Sequence, residues 1–398
     1  MAKKTTKKTG KKRSKKAASK TLDAPNPKHE LRTPAPIPLG EVIGQDRAVG
    51  VLRAAVESDR LHHAWIFHGP PGVGKFTTAM AFAAMVLDPT TAPQETLIGP
   101  GELAPDRASE TQTLLRAGTH PDLHVIVKEL ARFSSESRVR DSKLATIPKD
   151  VIDQHLIRPA KLAPVMSHET PPRATKVFII DEAELMDRSP TNAPVQNAIL
   201  KTLEEPPPGT VIILVTSSED RLLPTIRSRC QRVAFTPLND EAMARWVERA
   251  SIDAGGAELE WLIGHAEGSP GKLVRARETG LYAWHRTLSP MLEQADRGEL
   301  PLTLGSTMAE LVDSWAKDWV SEGSSAGENR SKEAANRAGA SQMFALVARR
   351  YRGQLAEPKA AMPAVRAIDL VGRAERLLGS NVSLKLVMDD LAVGLSGR

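Results

Sequence analysis

The sequence predicts an α/β fold, with a parallel sheet between layers of helices, followed by two helical domains. A glycine-rich segment that begins at Gly69 lies between an apolar run at residues 64–67 and a small-residue helix near 76–87. Apolar runs at residues 177–180 and 211–215 alternate with helical patterns, as expected for strands covered on both faces. Farther along the chain the apolar residues recur only at helical spacing.

The charge of the chain is unevenly distributed. The 398 residues carry a formal net charge of +6, but residues 1–20 contain ten Lys or Arg and no Asp or Glu. Subtracting these ten from +6 leaves −4 for the rest of the chain. An argument for nucleic-acid binding from overall charge therefore applies only to this tail.

Residues 1–38 are expected to form a disordered Lys-rich tail and, from residue 21, a linker with five prolines. The tail is either a solubilising arm or a weak, salt-sensitive contact to DNA phosphates, and the sequence does not decide between them. The single cysteine, Cys230, excludes a disulfide within the chain. We find neither an apolar run of about 18 residues nor the apolar core of a secretory signal, so we expect a cytoplasmic protein.

The glycine-rich segment matches the phosphate-binding pattern G-x-x-x-x-G-K. Its glycines allow backbone N–H groups to face phosphate oxygens, and Lys75 is expected to reach the β- and γ-phosphates. The next residue in this pattern is a Ser or Thr that ligates Mg²⁺, but here it is Phe76, and Thr77 lies about 100° further round the helix. We expect weak or absent ATP hydrolysis and a nucleotide-binding set formed by Gly69, Gly72, Val73, Gly74, Lys75, Phe76 and Thr77.

Asp181 and Glu182 follow the apolar run at 177–180. At the end of a buried strand, downstream of a phosphate-binding segment, such a pair is typical of the acidic site of nucleotide hydrolases. Asp181 is expected to hold Mg²⁺ if a nucleotide is bound, and Glu182 to orient the attacking water.

Further stretches resemble one protein family. They are VIGQ at 42–45, HAWIF at 63–67, GTHPD at 118–122, QNAILKTLEEPP at 196–207 and LPTIRSRC at 223–230. Their order and spacing resemble the AAA+ clamp-loader subunits of bacterial DNA polymerase III. The resemblance implies an AAA+ domain at 39–238, a helical lid at 239–280 and a helical collar, used for oligomerisation, at 281–398.

The resemblance also implies roles for single residues. Arg229 resembles the arginine finger, which acts in trans on the nucleotide of a neighbouring subunit and suits a residue that is always charged. Thr216 or Ser217 stands at the place of sensor 1. Lys272 lies in the sensor 2 region, where the ATPase subunits more usually have Arg. Cys230 is interpreted as a small buried hydrophobe.

Departures from the family pattern indicate which type of subunit is present. Phe76 and Lys272 depart from the ATPase subunits while Arg229 is retained, an asymmetry that resembles the delta-prime type rather than the tau/gamma type. Both types commonly carry a four-cysteine zinc module, but residues 88–118 contain no cysteine and are interpreted as an irregular insertion. His120 and His124 are interpreted as structural or surface residues, and no zinc is expected.

The expected function is that of a subunit in the polymerase holoenzyme that completes a neighbour's ATP site and helps to load a sliding clamp. The partners implied are the tau/gamma and delta subunits, the clamp and primed DNA contacted without base readout, with no membrane. ATP or ADP with Mg²⁺ is the cofactor implied. Three alternatives stay open: an active ATPase of the tau/gamma type, another AAA+ DNA motor such as a branch-migration helicase, or a DNA-binding protein that acts through the tail.

Overall fold

A computed structural model describes residues 34–58, 61–96, 99–134, 136–140, 146–187, 192–325, 331–380 and 382–397. The predicted Lys-rich tail and most of the linker lie outside the described residues. No helix in the described ranges is both long and apolar enough to cross a membrane.

Within the described residues, seven strands form two sheets. They are β1 (Ala64–His68), β2 (Ala92–Thr96), β3 (Gly99–Ala104), β4 (Leu123–Ile126), β5 (Lys176–Ile180), β6 (Thr210–Thr216) and β7 (Gln231–Ala234). The main sheet has the order β4-β5-β6-β1-β7, and each adjacent pair is parallel. Strands β2 and β3 form a separate antiparallel hairpin.

The central strands of the main sheet, β1, β5 and β6, are buried on both faces. Successive side chains point to opposite faces, so Trp65 and Phe67 enter one apolar cluster, whereas Ala64 and Ile66 enter the other. This double burial explains why the central strands appear in the sequence as continuous apolar runs.

In the described part of the chain up to β7, eight α-helices accompany this sheet. They are α1 (Asp46–Glu57), α2 (Lys75–Leu87), α3 (Glu110–Ala117), α4 (Ser137–Arg140), α5 (Lys149–Ile152), α6 (Arg158–Ala160), α7 (Pro194–Glu204) and α8 (Pro224–Arg227). A π-helical turn, Asp153–Ile157, joins α5 to α6. Helix α2 begins at the last residue of the glycine-rich segment and is buried along almost its whole length.

The rest of the described chain is helical, as predicted. The helices are α9 (Asp240–Arg249), α10 (Gly256–Ala266), α11 (Pro270–Thr279), α12 (Leu281–Asp296), α13 (Leu304–Ser325), α14 (Lys332–Gln354), α15 (Ala361–Gly379) and α16 (Leu384–Leu395). One apolar cluster includes Leu273 of α11, Leu288 of α12 and Leu391 of α16. The core therefore continues across the predicted boundary at 280/281, and the domain boundaries stay predictions.

The predicted fold class is confirmed, but residues 88–118 are not an irregular insertion. They contain the β2–β3 hairpin and helix α3, and the buried carboxylate of Asp88 organises them. It accepts hydrogen bonds from Thr90 N (2.9 Å), Thr90 Oγ1 (2.6 Å), Ser109 Oγ (2.6 Å) and Gln112 Nε2 (3.0 Å). The polar composition that suggested a loop supplies this network.

Strand β7 was not predicted, because three of its four residues are exposed and it lacks an apolar run. The residues after β4 include the short helix α4, although 135 and 141–145 lie outside the described residues. In α16, Val387 is buried in the core, whereas Leu386 and Val393 are exposed.

Candidate nucleotide-binding site

The glycine-rich segment lies between β1 and α2, as predicted. Gly69, Gly72 and Gly74 all have positive φ angles, of 143°, 77° and 100°. A Cβ atom on Gly69 would lie 2.2 Å from the backbone oxygen of Phe235, so no other residue fits there without a shift of the backbone. The loop has the backbone form that exposes N–H groups toward a phosphate.

The lid helix α11 packs directly on this loop. Gly271 N donates to Gly72 O (2.8 Å), and Ser269 Oγ donates to Pro71 O (2.9 Å). A Cβ atom on Gly271 would lie 2.7 Å from Gly72 Cα. Gly271 therefore permits a backbone contact that couples the lid to the phosphate-binding loop.

Lys75 folds back onto its own loop. Its Nζ donates to Gly69 O (2.7 Å) and to Pro70 O (2.6 Å). Burial lowers the pKa of Lys75, and the carboxylates of Glu184 and Asp181 oppose that shift. The ammonium group must leave these two carbonyl oxygens before it can contact a phosphate.

Phe76 stands where the pattern predicts Ser or Thr, and it lies in a cleft beside the glycine-rich segment. Phe76 and Thr77 both line this cleft, and the Phe76 ring also packs against the apolar cluster that contains Trp65 and Phe67. Thr78 Oγ1 donates to Gly74 O (2.8 Å) within the first turn of α2. The Mg²⁺ donor set is therefore incomplete, because a phenyl ring stands where the pattern requires a hydroxyl.

Asp181 lies at the carboxyl end of β5 and lines the cleft. Burial raises its pKa to about 6, while a hydrogen bond from Glu182 N opposes the shift. Glu182 has a left-handed backbone (φ 48°), and its carboxylate accepts a 2.5 Å hydrogen bond from Lys128 Nζ. Lys128, which sequence reasoning missed, therefore holds the group expected to orient water.

Thr216 and Ser217 also line the cleft, at the end of β6. Thr216 is buried, and its Oγ1 accepts a hydrogen bond from Ser218 N (3.1 Å). Ser217 N donates to the carboxylate of the buried residue Glu184 (3.1 Å). Of the two sensor 1 candidates, Thr216 is thus fixed in place by the turn that follows it.

The cleft has a volume of about 830 Å³, within the range of sites for small ligands. Part of the cleft lining is apolar, and it includes Ile37 and Val42 from the segment before α1 and Trp246 from α9. Two arginines missed by sequence reasoning, Arg249 and Arg275, also line the cleft. Arg249 lies outside every motif, and Arg275 follows the sensor 2 region in which Lys272 was the expected cation.

Lys272 does not line the cleft. Its Nζ lies 3.4 Å from the carboxylate of Glu267, on another side of α11 from Gly271 and Arg275. Gly271 and Arg275 are four residues apart and share a helix face, whereas Lys272 is rotated by about 100° from Gly271. Arg275, rather than Lys272, is the cation that the lid helix places at the cleft.

Arg229 is also outside the chain's own cleft. Its Nη1 donates to Thr225 O (2.8 Å), and its Nη2 lies 2.6 Å from the carboxylate of Glu204. Glu204 ends α7, and the buried side chain of Gln196 near the start of α7 bonds Arg221 O and Leu223 N. Helix α7 therefore contacts the 221–229 segment at both of its ends.

The surroundings of Cys230, His120 and His124 do not indicate thiol or zinc chemistry. Burial raises the pKa of the Cys230 thiol to about 12, which makes it unreactive at neutral pH. His120 is buried, and the ring of His124 stacks on Phe178 at 4.6 Å. Within the described ranges no group of three or more His, Cys, Asp or Glu could hold a metal ion.

Comparison with known proteins identifies the family. The family described as "DNA polymerase III, delta subunit" matches residues 44–239. The delta' subunit of Pseudomonas aeruginosa is 30% identical over 265 residues, which are 65% of this chain and 70% of that protein. The delta' subunit of Bacillus subtilis is 29% identical over 199 residues, half of each chain.

Similarity to the gamma/tau type is more limited. The gamma/tau subunit of Mycobacterium tuberculosis is 28% identical over 243 residues, which are 59% of this chain and 36% of that protein. A gamma subunit-related protein of Thermotoga maritima, of known structure, is 18% identical. The match covers 89% of this chain and 99% of that protein, with a TM-score of 0.41. The sequence relationships show that the chain belongs to the delta-prime family of DNA polymerase III subunits, of clamp-loader type.

Proposed function

We propose that this chain works in a clamp loader by placing Arg229 at the ATP site of a neighbouring subunit, and that it does not hydrolyse nucleotide at its own site. In this role the chain is a structural and triggering subunit of the polymerase holoenzyme. The neighbour hydrolyses ATP, and the assembly loads a sliding clamp onto primed DNA.

The observation that carries this proposal is the position of Arg229. Its side chain is about one third exposed and does not line the cleft of its own chain. Helix α7 holds the chain on both sides of α8, because Gln196 bonds the residues just before α8 and Glu204 pairs with Arg229 just after it. A supported surface arginine can reach the phosphates of another subunit, where a charged planar fork stabilises the transition state.

The chain's own cleft supports binding better than hydrolysis. Its glycines and Lys75 fit the phosphates of ATP or ADP, and its apolar wall around Trp246 fits a base. The Mg²⁺ donor set lacks the hydroxyl that Phe76 replaces, and Lys128 holds Glu182. These features support nucleotide binding with weak or absent turnover by the isolated chain.

The proposed partners follow from the same family relationship. They are the tau/gamma and delta subunits, the sliding clamp and primed DNA, with the helical region at 281–398 as the collar that joins the ring. Affinity purification from the native organism tests this directly. Recovery of these subunits supports the proposal, whereas recovery of a ring of this chain alone supports an autonomous AAA+ motor.

The isolated chain gives a second test. We expect binding of a fluorescent ATP analogue, quenching of Trp246 fluorescence on binding, and no Mg²⁺-dependent ATPase. Steady turnover that Lys75→Ala abolishes would favour the active ATPase of the tau/gamma type instead.

A further inference from the structure

The first turn of α2 offers no hydroxyl group at the position of the magnesium ligand. The ring of Phe76 occupies that position, and it is fixed there because it also packs against the apolar core beside the cleft. Thr78 is fully buried, and its hydroxyl is already bonded to Gly74 O. Thr77 is exposed and lies about 100° further round the helix. A magnesium ion in this cleft would therefore meet apolar carbon where its oxygen ligand belongs.

The nearby carboxylates do not make up for the missing hydroxyl. Asp181 and Glu182 both line the cleft, but Glu182 is paired with Lys128 at 2.5 Å. Glu184 is 8% exposed, and its carboxylate accepts a hydrogen bond from Ser217 N (3.1 Å) instead of facing the cleft. Magnesium requires nearly octahedral oxygen ligands and gives up its water reluctantly. One unpaired carboxylate beside a phenyl ring does not fit such an ion.

Two cations of the chain can balance the charge of a nucleotide in this cleft. Lys75 Nζ lies at the phosphate-binding loop, where it bonds two carbonyl oxygens. Arg275 of the lid helix α11 is exposed and lines the cleft, and no carboxylate of the described residues pairs with it. Arg249 also lines the cleft, but it is paired with Glu41. The backbone N–H groups of the loop and the amino end of α2 add favourable dipoles.

We propose that this cleft binds ADP without a magnesium ion, and that Phe76 is the residue that determines this preference. Lys75 and Arg275 compensate the phosphate charge. ADP suits the cleft better than ATP, because the metal ion of P-loop proteins bridges the β- and γ-phosphates and neutralises their charge. The inference rests on the proposed nucleotide-binding cleft, and it gives a physical reason why the bound nucleotide is not hydrolysed.

Calorimetric titration of the full chain with ADP tests this inference, once with excess EDTA and once with excess MgCl₂. Phe76→Thr restores the hydroxyl of the phosphate-binding pattern, and Phe76→Leu is the matched control that stays apolar. Mn²⁺ replaces Mg²⁺ in a parallel experiment, because electron paramagnetic resonance detects its binding directly. Thermal unfolding of both variants shows whether they fold, since Phe76 packs against the core.

The native chain should bind ADP in EDTA at least as tightly as in MgCl₂, and it should bind no Mn²⁺ in the presence of ADP. Phe76→Thr should bind Mn²⁺ and should bind ADP at least about tenfold more tightly with Mg²⁺ than with EDTA. Phe76→Leu should behave as the native chain does.

Arg275→Ala should weaken ADP binding in EDTA about tenfold, through loss of a charged hydrogen bond. Arg277→Ala is its control, because Arg277 is an exposed arginine on α11 that does not line the cleft. Equal affinity of the Arg275→Ala and Arg277→Ala variants would remove Arg275 from the account.

The experiments on the native chain decide the inference without any variant. ADP binding that is more than about threefold tighter with Mg²⁺, or bound Mn²⁺, overturns it. A Phe76→Thr variant that folds but gains no dependence on Mg²⁺ overturns the role of Phe76. Absence of ADP binding in both solutions overturns the inference together with the proposed nucleotide cleft. Arg229-dependent ATPase of the assembled loader, measured with Phe76→Thr, reports separately on the arginine finger.

Discussion

Replacement of Asp88 should reveal how the segment between α2 and β4 is stabilised. Asp88 is fully buried, and its carboxylate accepts four hydrogen bonds from Thr90, Ser109 and Gln112. These bonds join the end of α2 to the cap of α3, across the β2–β3 hairpin. In Asp88→Ala the four donors lose their common acceptor.

The magnitude follows from the number and the type of these bonds. A hydrogen bond to a charged group contributes about 1.5–3 kcal/mol, but the two hydroxyls can turn to other acceptors and water can enter the site. We therefore expect Asp88→Ala to lower the free energy of unfolding by about 3–5 kcal/mol. For a domain of this size that corresponds to a decrease of about 6–20 °C in Tm. Asp88→Asn, which keeps the volume and one acceptor, should cost about half as much.

Thermal unfolding followed by circular dichroism measures the effect, and hydrogen exchange of residues 110–117 shows whether α3 opens locally. Asp106→Ala is the matched control, because the exposed Asp106 carboxylate accepts only a local bond from Ala108 N (2.8 Å). If Asp88→Ala lowers Tm no more than Asp106→Ala, the network does not stabilise this segment. Added zinc should leave Tm unchanged, and a zinc-dependent increase would show that a metal site exists after all.

Three further predictions concern the nucleotide, the finger and acid stability. Lys75→Ala should weaken ATP-analogue binding by about 10- to 100-fold, through loss of a charged hydrogen bond; unchanged affinity would show that Lys75 stays on its own loop. Glu204→Gln removes a half-exposed ion pair of about 0–1 kcal/mol and should lower the concentration for half-maximal stimulation of a neighbour's ATPase by up to about fivefold at low salt, with no difference at high salt. Burial lowers the pKa values of His124 and His265 to about 4, so the unfolded chain binds protons first. Stability should be complete above the unfolded value near 6.5 and should fall as the pH approaches 4; the urea midpoint should decrease over this range, and less so in the His124→Gln/His265→Gln variant.

The main sheet could be predicted because its central strands are buried on both faces. Double burial requires runs such as residues 177–180 and 211–215 to be apolar throughout, and parallel pairing then places their carboxyl ends at one edge. The edge strand β7 has one buried residue in four, so it leaves no such run. The hairpin and helix within residues 88–118 were not predicted for a related reason, since the network of polar side chains around Asp88 has no periodic pattern.

The candidate site was predictable where backbone geometry dictates residue type. Gly69 and Gly72 must be glycine because a Cβ atom would lie 2.2 Å from Phe235 O and 2.6 Å from Ser269 Oγ, and a sequence records that requirement directly. Lys128 and Arg275 reach the site from the loop after β4 and from the lid, through tertiary packing that no spacing rule encodes. Lys272 was predicted for the cleft, whereas Arg275 lines it, because the contact between Gly271 and Gly72 sets the face of α11 that meets the loop.

The most direct test of the central claim is the ATPase rate of a loader reconstituted from the tau/gamma, delta and present chains with clamp and primed DNA. We compare the native chain with Arg229→Ala and with Arg227→Ala, a control arginine that ends the preceding helix α8 and pairs with Asp220. The account predicts that Arg229→Ala assembles normally but lowers the rate of the neighbouring site by at least about a thousandfold, as loss of an arginine finger does, while Arg227→Ala retains it. An assembled loader whose rate and clamp loading are unchanged by Arg229→Ala would contradict the account.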